Sequence, residues 1–424
     1  MIVAADPGGA AAALRRPALL ALLALAALTA ASAAWTVGEP DDALRWGAVL
    51  GGFAALWICG SAVAGRLGAG AVARFVLALA VAAALLGLAG AALQELPYAE
   101  RIGGSWRPGG PLEYGPALGT LQLAGMPLAL TWAASERRSR AAAGAAACAV
   151  AAAAIALVSS RAVLALGGLL LLLIAADPTR TIGRRRPLAI ALVCFTLTAG
   201  LAADAVAGSY AEPYASTPDW PRVVGLLLVL VLAPALWSFT RSRFADSGRP
   251  LAGRRAAAVT LVTLPLLAAA VAAAATPDAG TGVEPDAGLT HGRVEIWRDA
   301  VEAVADGPLA GTGALTFLQT RIVAGEDPGT RFAHDLPVEA WVELGYPGLI
   351  LTVGFLAAVA ALIIAARGRP GLWLLGPGAV AFLLAALIDW QWHIPAAGAI
   401  SAFLLGGLAG SEPDEQRSHR DGRR

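Results

Sequence analysis

The chain alternates between long apolar blocks and short polar segments. Most blocks have the length, roughly 17 to 22 residues, that a helix needs to cross about 30 Å of hydrocarbon at 1.5 Å per residue. A soluble helical protein would instead show apolar stripes with a period of 3.6 residues. The pattern therefore predicts about twelve transmembrane helices, near residues 17–36, 46–65, 71–92, 116–134, 141–158, 162–176, 188–207, 221–239, 256–276, 345–366, 371–388 and 396–410.

Composition agrees with this pattern. Of the 424 residues, 58% are hydrophobic and only 14% are charged, whereas soluble domains carry about 25% charged residues. We therefore predict an all-α fold in which residues 1–424 form a single integral membrane domain. The three cysteines all fall inside apolar blocks, so neither a disulfide framework nor a metal-binding cysteine motif is indicated. The net charge of +1 gives no sign of a nucleic-acid partner.

The arginines predict the orientation. All 31 basic residues are arginine, and most lie in alternate short loops and in the tail. Because such loops stay in the cytoplasm, both termini are predicted to be cytoplasmic, with 411–424 as a disordered tail and 276–344 as an extracytoplasmic loop between the ninth and tenth helices. An alternative applies to the first helix, since Ala31-Ser32-Ala33 resembles a signal-peptide cleavage site. Cleavage there would not invert the remaining helices.

A few arginines fall on the outer side and need another explanation. The clearest is Arg161, because Ser159-Ser160-Arg161 interrupts an apolar stretch that runs from 141 to 176. An unpaired charge costs about 3 kcal/mol at mid-bilayer, so an anion should meet this guanidinium. Arg161 either reaches up to lipid phosphates from a helix end or belongs to an anion-binding site.

The outer loop contains two further features. Residues 292–306 have helical spacing of apolar positions, including Val294, Trp297 and Val301, which predicts an amphipathic helix on the membrane surface. His334 comes just before a predicted helix that has Asp335 or Leu336 as N-cap and starts with Pro337. A histidine at this position is either structural or able to accept a proton from an attacking hydroxyl.

Two other chemistries have little support. His291, His334 and His393 are all predicted to lie outside with Asp335 and Asp389, but their spacings match no metal-ligand pattern. A serine hydrolase is disfavoured as well, because the chain has no GxSxG motif.

Several short motifs, taken together and in order, resemble the O-antigen ligase and O-antigen polymerase superfamily over residues 105 to 366. The motifs are Gly109-Gly110-Pro111-Leu112 with Tyr114, Ser160-Arg161, Gly292-Arg293 with Ile296-Trp297, Gly307-Pro308-Leu309 with Gly311, Gly313 and Phe317, Ala333-His334 with Glu339, Glu343-Leu344-Gly345, and Gly348-Leu349.

The resemblance implies a bacterial polytopic glycosyltransferase that uses neither metal nor cofactor. Such an enzyme transfers or polymerises a glycan from an undecaprenyl-diphosphate carrier onto a glycan, lipid or protein acceptor outside the cytoplasmic membrane. By this resemblance Arg161 and Arg293 bind the diphosphate, and His334 activates the acceptor hydroxyl. The residues expected to support the site are Ser160, Trp297, Arg298, Asp335 and Glu339.

One position departs from the family pattern. The family histidine is usually followed by asparagine or serine, whereas His334 is followed by Asp335. This carboxylate could orient His334 and raise its basicity, or it could pair with Arg331. Two other classes of function stay open: a transporter or lipid-linked glycan flippase, and a non-catalytic assembly subunit. The enzyme is favoured over a transporter, since no duplicated halves are visible and the ionisable residues cluster at the outer rim.

Overall fold

The fold was examined in a computed structural model, and it is mostly helical. The structure describes residues 16–102, 105–176, separate positions between 223 and 238, and residues 293–304, 309–319, 331–367 and 369–411. Within these residues the helices are α1 (Pro17–Ala31), α2 (Pro40–Leu67), α3 (Ala69–Leu93), α4 (Gly115–Ala133), α5 (Arg138–Val158), α6 (Arg161–Ala176), α7 (Arg293–Val304), α8 (Leu336–Ala365), α9 (Pro370–Ala386) and α10 (Pro395–Gly410).

The apolar helices agree with a membrane protein. In the described residues, five helical segments are long and apolar enough to cross a membrane: Pro17–Ala34, Pro40–Leu67, Ala69–Leu93, Arg138–Val158 and Leu336–Ala365. The predicted helices at 188–207 and 256–276, most of the predicted outer loop, and residues 412–424 of the tail lie outside the described residues.

The chain divides into two compact units, and each is described by itself. The first unit comprises Met1–Val72 and Glu284–Arg424. In it, α2 packs along α10, α1 packs on α2, and α8 packs on α1. The α2–α10 crossing is very close, because a Cβ built at Gly406 would lie 1.9 Å from the carbonyl oxygen of Trp57. Small residues at such crossings let helix backbones approach each other, which favours association in lipid.

Helix α8 contains a kink that begins its most apolar part. Gly345 has φ 63° and ψ −160°, a backbone region that is essentially restricted to glycine. A Cβ at this position would lie 2.4 Å from the Leu309 carbonyl oxygen. Pro347 follows within the helix and removes a backbone donor. The kink therefore joins the expected helix at 345–366 to the N-terminal segment Leu336–Leu344, whose start after Asp335 was also predicted.

The second unit, Ala73–Val283, is built around α4 and α5. A Cβ at Gly144 would lie 2.2 Å from the Ala133 nitrogen, so these two helices also approach closely. Gln122 is fully buried in α4, and its amide nitrogen donates to the Ala80 carbonyl oxygen at 3.1 Å. This bond satisfies the amide nitrogen, which would otherwise be costly to bury inside an apolar bundle.

A small β-hairpin in the second unit departs from the all-α expectation. Strands β1 (Ala99–Ile102) and β2 (Ser105–Pro108) pair antiparallel, with Glu100 opposite Arg107. A Glu100 carboxylate oxygen accepts from the Gly115 N–H at 3.2 Å. The hairpin thereby supplies a partner for one of the free N–H groups at the start of α4.

Candidate functional site

The turn that carries His334 is fixed by local backbone chemistry. His334 has φ 56°, a left-handed conformation that is uncommon for residues other than glycine. Asp335 is the N-cap of α8, and its carboxylate accepts from the Val338 N–H at 2.8 Å. The predicted N-cap is therefore confirmed. Burial raises the pKa of Asp335, nearby Glu339 raises it further, and the bond from Val338 lowers it.

A second carboxylate faces the imidazole of His334. The Nδ1 atom of His334 lies 3.5 Å from an Asp389 carboxylate oxygen, and the Asp389 side chain is only 8% exposed. The same oxygen accepts from the Trp390 N–H at 2.8 Å, which fixes its direction. The carboxylate at ion-pair distance from His334 is thus that of Asp389, in the segment between α9 and α10, while Asp335 serves as a helix cap.

A third carboxylate, that of Glu339, contacts the residue directly before His334. One Glu339 oxygen accepts from the Ala333 N–H at 2.9 Å, and the other contacts the Nε2 atom of His393. The His393 ring stacks on Phe332, with ring centroids 4.3 Å apart, and on Trp46, with centroids 5.0 Å apart. The backbone on the N-terminal side of His334 is therefore attached to a buried histidine–glutamate pair.

Helix α7 also contacts this turn. The indole N–H of Trp297 donates to the Ala333 carbonyl oxygen at 2.8 Å. Arg293 lies four residues earlier, which puts it on the same side of α7 as Trp297. Arg293 therefore shares a helix side with a residue that contacts this turn, whereas Arg298 is exposed.

The predicted amphipathic helix is confirmed as a helix, and its contact with the membrane surface stays a prediction. Val294 and Val301 are exposed, at 40% and 43%. Ala300 is buried instead, with Ile296 packed beside it. The packing against the His334 turn selects the face that contains Trp297 and Ala300, and the two valines remain an apolar stripe on the outside of the helix.

The glycine-rich loop after α7 supports α8. The N–H groups of Thr312 and Gly313 donate to the carbonyl oxygens of Val342 and Glu343 at 3.1 and 2.8 Å. A Glu343 carboxylate oxygen accepts from the Phe317 N–H at 3.2 Å. These N–H groups are engaged with protein acceptors, so the loop acts as a brace for the kinked helix and does not form a phosphate cradle.

A comparison with protein families bears on this arrangement. The family model described as O-antigen ligase matches residues 217–353, about a third of the chain. This match over residues 217–353 supports the O-antigen ligase superfamily that the sequence motifs resemble. It supports, in general terms, an O-antigen ligase-type or polymerase-type activity with a lipid-linked glycan donor and an acceptor. No curated protein matches the chain significantly.

The O-antigen ligase match includes some of the site residues and omits others. Arg293, His334 and Glu339 lie inside the matched segment. Asp389 and His393 follow it and had been considered from the sequence only as possible metal ligands. Among the residues that the structure describes, no group of three or more histidine, cysteine or acidic side chains could hold a metal ion; His291 lies outside those residues.

Arg161 lies in the second unit. It is the first residue of α6 and is exposed. The Ser160 hydroxyl oxygen accepts from the Val163 N–H at 3.4 Å and so caps the same helix. The structure therefore gives Ser160 a local role and leaves the Arg161 guanidinium at the surface of its unit. A shared ligand for Arg161, Arg293 and His334 stays a prediction.

Proposed function

We propose that the protein transfers or polymerises a glycan from an undecaprenyl-diphosphate carrier onto an acceptor at the outer face of the bacterial cytoplasmic membrane, without a metal ion. The family match supports the class of reaction. The proposal includes twelve membrane spans, cytoplasmic termini and an extracytoplasmic loop at 276–344. Five apolar helical segments and the arginine distribution support this topology.

The observation that carries the proposal is the pairing of His334 with Asp389. The Nδ1 atom of His334 is buried beside the Asp389 carboxylate, at 3.5 Å, while the side chain as a whole is 20% exposed. The two groups lie at ion-pair distance without a hydrogen bond between them. A proton on Nδ1 would face Asp389 and leave the Nε2 lone pair for an incoming hydroxyl. Such a carboxylate holds the imidazole in one tautomer and stabilises the imidazolium that forms when it accepts a proton.

The proposed reaction is a substitution at the anomeric carbon of the donor sugar. The acceptor hydroxyl oxygen forms a bond to this carbon, and its proton passes to Nε2 of His334. The bond from the carbon to the diphosphate oxygen breaks, and the electron pair leaves with undecaprenyl diphosphate. Arg161 and Arg293 are proposed to bind this diphosphate, because guanidinium groups match phosphate oxygens bidentately and stabilise the negative charge of the leaving group.

The test uses the bacterium that carries the gene. A deletion strain is complemented with the natural protein or with His334→Ala, Arg161→Ala or Arg293→Ala, and the surface glycan and the lipid-linked glycan are extracted and compared. Loss of a general base commonly slows a reaction by about 10²- to 10⁴-fold. His334→Ala should therefore lose the surface glycan and accumulate the lipid-linked donor, and the two arginine variants should do the same.

The matched control is Arg367→Ala, which removes an exposed arginine from the end of α8 that is predicted to be cytoplasmic. This variant should make normal surface glycan, and immunoblots of membranes should show equal amounts of all variants. Normal glycan from His334→Ala would contradict the catalytic assignment. Donor that accumulates only on the cytoplasmic side of the membrane would favour a flippase.

A further inference from the structure

The buried side chains of His393 and Glu339 contact each other next to the turn that carries His334. The proposed reaction gives this contact no role. The side chains of His393 and Glu339 are only 7% and 5% exposed. One oxygen of the Glu339 carboxylate contacts the Nε2 atom of His393, and the other accepts from the Ala333 N–H. A carboxylate in such surroundings needs strong donors, because burial removes water from it. His393 and the Ala333 peptide group are these donors.

The His393 ring is held in place for this contact. It stacks on Trp46 at an interplanar angle of 25° and on Phe332 at 17°. Its Nδ1 atom is buried and has no hydrogen-bond partner among the described residues. Buried polar atoms without partners are uncommon, and each needs an explanation. One nitrogen of the imidazole is therefore left without a hydrogen-bond partner among the described residues, while the other nitrogen contacts Glu339.

The Glu339 contact reaches the peptide group directly before His334. The Ala333 N–H is held by Glu339, the Ala333 carbonyl oxygen is held by Trp297, and His334 then adopts its left-handed φ of 56°. With both polar groups of Ala333 fixed, the direction in which His334 leaves the backbone is fixed as well. Misplacement of a reacting group by about 1 Å can cost on the order of 10²-fold in rate.

We propose that His393 is a positioning residue for His334 and acts through the Glu339 carboxylate on the Ala333 peptide group. The inference rests on the proposed function, since it assumes that His334 is the catalytic base. The short segment from 389 to 393 then controls His334 at two points. Asp389 faces the imidazole, and His393 fixes the backbone.

Two substitutions separate the hydrogen bond from the stacking. His393→Phe keeps a flat ring between Trp46 and Phe332 but removes the donor to Glu339. His393→Gln removes the ring but places an amide N–H close to the position of Nε2. Under this proposal, His393→Phe lowers kcat on the order of 10- to 100-fold with the donor KM unchanged. His393→Gln should retain turnover within about threefold of the natural protein, because the bond that positions the turn remains.

The assay uses the full-length protein in liposomes, with the lipid-linked glycan that the deletion strain accumulates as donor and lipid extract of that strain as acceptor. A double variant, His393→Phe with Glu339→Leu, gives the coupling between the two residues. If His393 acts through Glu339, the double variant is no slower than the slower of the two single variants.

Three results would overturn the proposal: kcat within twofold of the natural value in His393→Phe, equal loss of kcat in His393→Phe and His393→Gln, or fully multiplicative losses in the double variant. If His393→Phe fails to reach the membrane, the comparison of His393→Gln with Glu339→Leu decides, since only Glu339→Leu removes the acceptor of the Ala333 N–H. His334→Ala is measured in parallel. If it is inactive while the His393 variants are normal, only the positioning role is wrong, whereas full activity of His334→Ala removes the proposed function itself.

Discussion

Replacing Asp389 with asparagine gives the sharpest test of the site, because it changes charge with almost no change in shape. The carboxylate oxygen lies 3.5 Å from Nδ1 of His334 and is nearly buried. Asparagine can still accept from the Trp390 N–H, which the Asp389 oxygen accepts at 2.8 Å. The substitution therefore removes the negative charge that faces the imidazole while leaving the local backbone bond available.

The size of the effect follows from the separation of the two groups. When His334 accepts a proton, the imidazolium and the carboxylate at 3.5 Å attract each other by about 4 to 5 kcal/mol at an effective dielectric constant of 20. The His334 side chain is 20% exposed, and the amide dipole of asparagine replaces part of the attraction. A net loss of about 3 to 4 kcal/mol in the transition state remains, which corresponds to a rate reduction of roughly 10²- to 10³-fold.

The measurement is the initial rate of glycan transfer in liposomes under saturating donor. Asp335→Asn is the matched control, because it neutralises the carboxylate adjacent to His334 in sequence while keeping the N-cap acceptor. Asp389→Asn should be slow and Asp335→Asn close to normal. A fast Asp389→Asn enzyme together with a slow Asp335→Asn enzyme would show that the adjacent aspartate orients the histidine and that the geometric argument is wrong.

Three predictions concern stability. Gly345→Ala should lower the free energy of unfolding by about 3 kcal/mol, because alanine disfavours the positive φ of Gly345 and its Cβ would meet the Leu309 carbonyl oxygen. The neutral control in the same thermal melts is Gly354→Ala, since a Cβ there meets nothing within 4 Å. Because burial raises the pKa of Asp335, the carboxyl group binds its proton more tightly in the folded protein than in the unfolded chain. The contribution of Asp335 to the free energy of unfolding therefore falls as pH rises. The melting temperature of Asp335→Asn relative to the natural protein should therefore rise between about pH 4 and neutral pH, and a constant difference would contradict the argument. Trp297→Phe removes the bond to Ala333 and should cost about 1 kcal/mol, with faster amide hydrogen exchange in 293–304; unchanged exchange would show that the indole N–H does not secure α7.

The helices could be predicted because apolar length is a property of one segment. The block predicted at 71–92 forms α3, Ala69–Leu93, and the block at 116–134 forms α4, Gly115–Ala133. The start of α8 was predicted from Asp335 and Pro337, although Glu339 and Glu343 make its first two turns polar. Their carboxylates are buried and bonded to backbone N–H groups of Ala333 and Phe317, which only the packed structure reveals.

The hairpin illustrates a different difficulty. Strands β1 and β2 are four residues each and lie between two apolar helices, so they carry no block long enough to produce a periodic signal. Their stability comes from contacts at the start of α4, where Glu100 binds the Gly115 N–H. Short strands stabilised by a neighbouring helix are not visible in local patterns.

Part of the candidate site was predictable, since Trp297 and Glu339 were expected beside His334 and both contact the Ala333 peptide group that precedes it. The catalytic role of His334 stays a prediction, but the residue could be identified from the family motifs. Its partner could not, since Asp335 is the obvious neighbour in sequence and Asp389 is the neighbour in space. The contact between Glu339 and His393 likewise joins residues 54 positions apart. The available signal was the short segment 389–395, in which polar residues alternate with Trp390 and Trp392.

The candidate site depends on residues that lie outside the segment matched by the family model. The matched segment ends at residue 353, yet Asp389 and His393 follow it and Trp46 precedes it. His334 adopts a left-handed backbone conformation next to two buried carboxylates, and each of these features is unfavourable unless packing and donors compensate for it. The compensation comes from α2, through Trp46, and from the segment that joins α9 to α10. The matched segment thus contains the proposed proton acceptor, and the geometry that would make it an effective base depends on the remainder of the first unit.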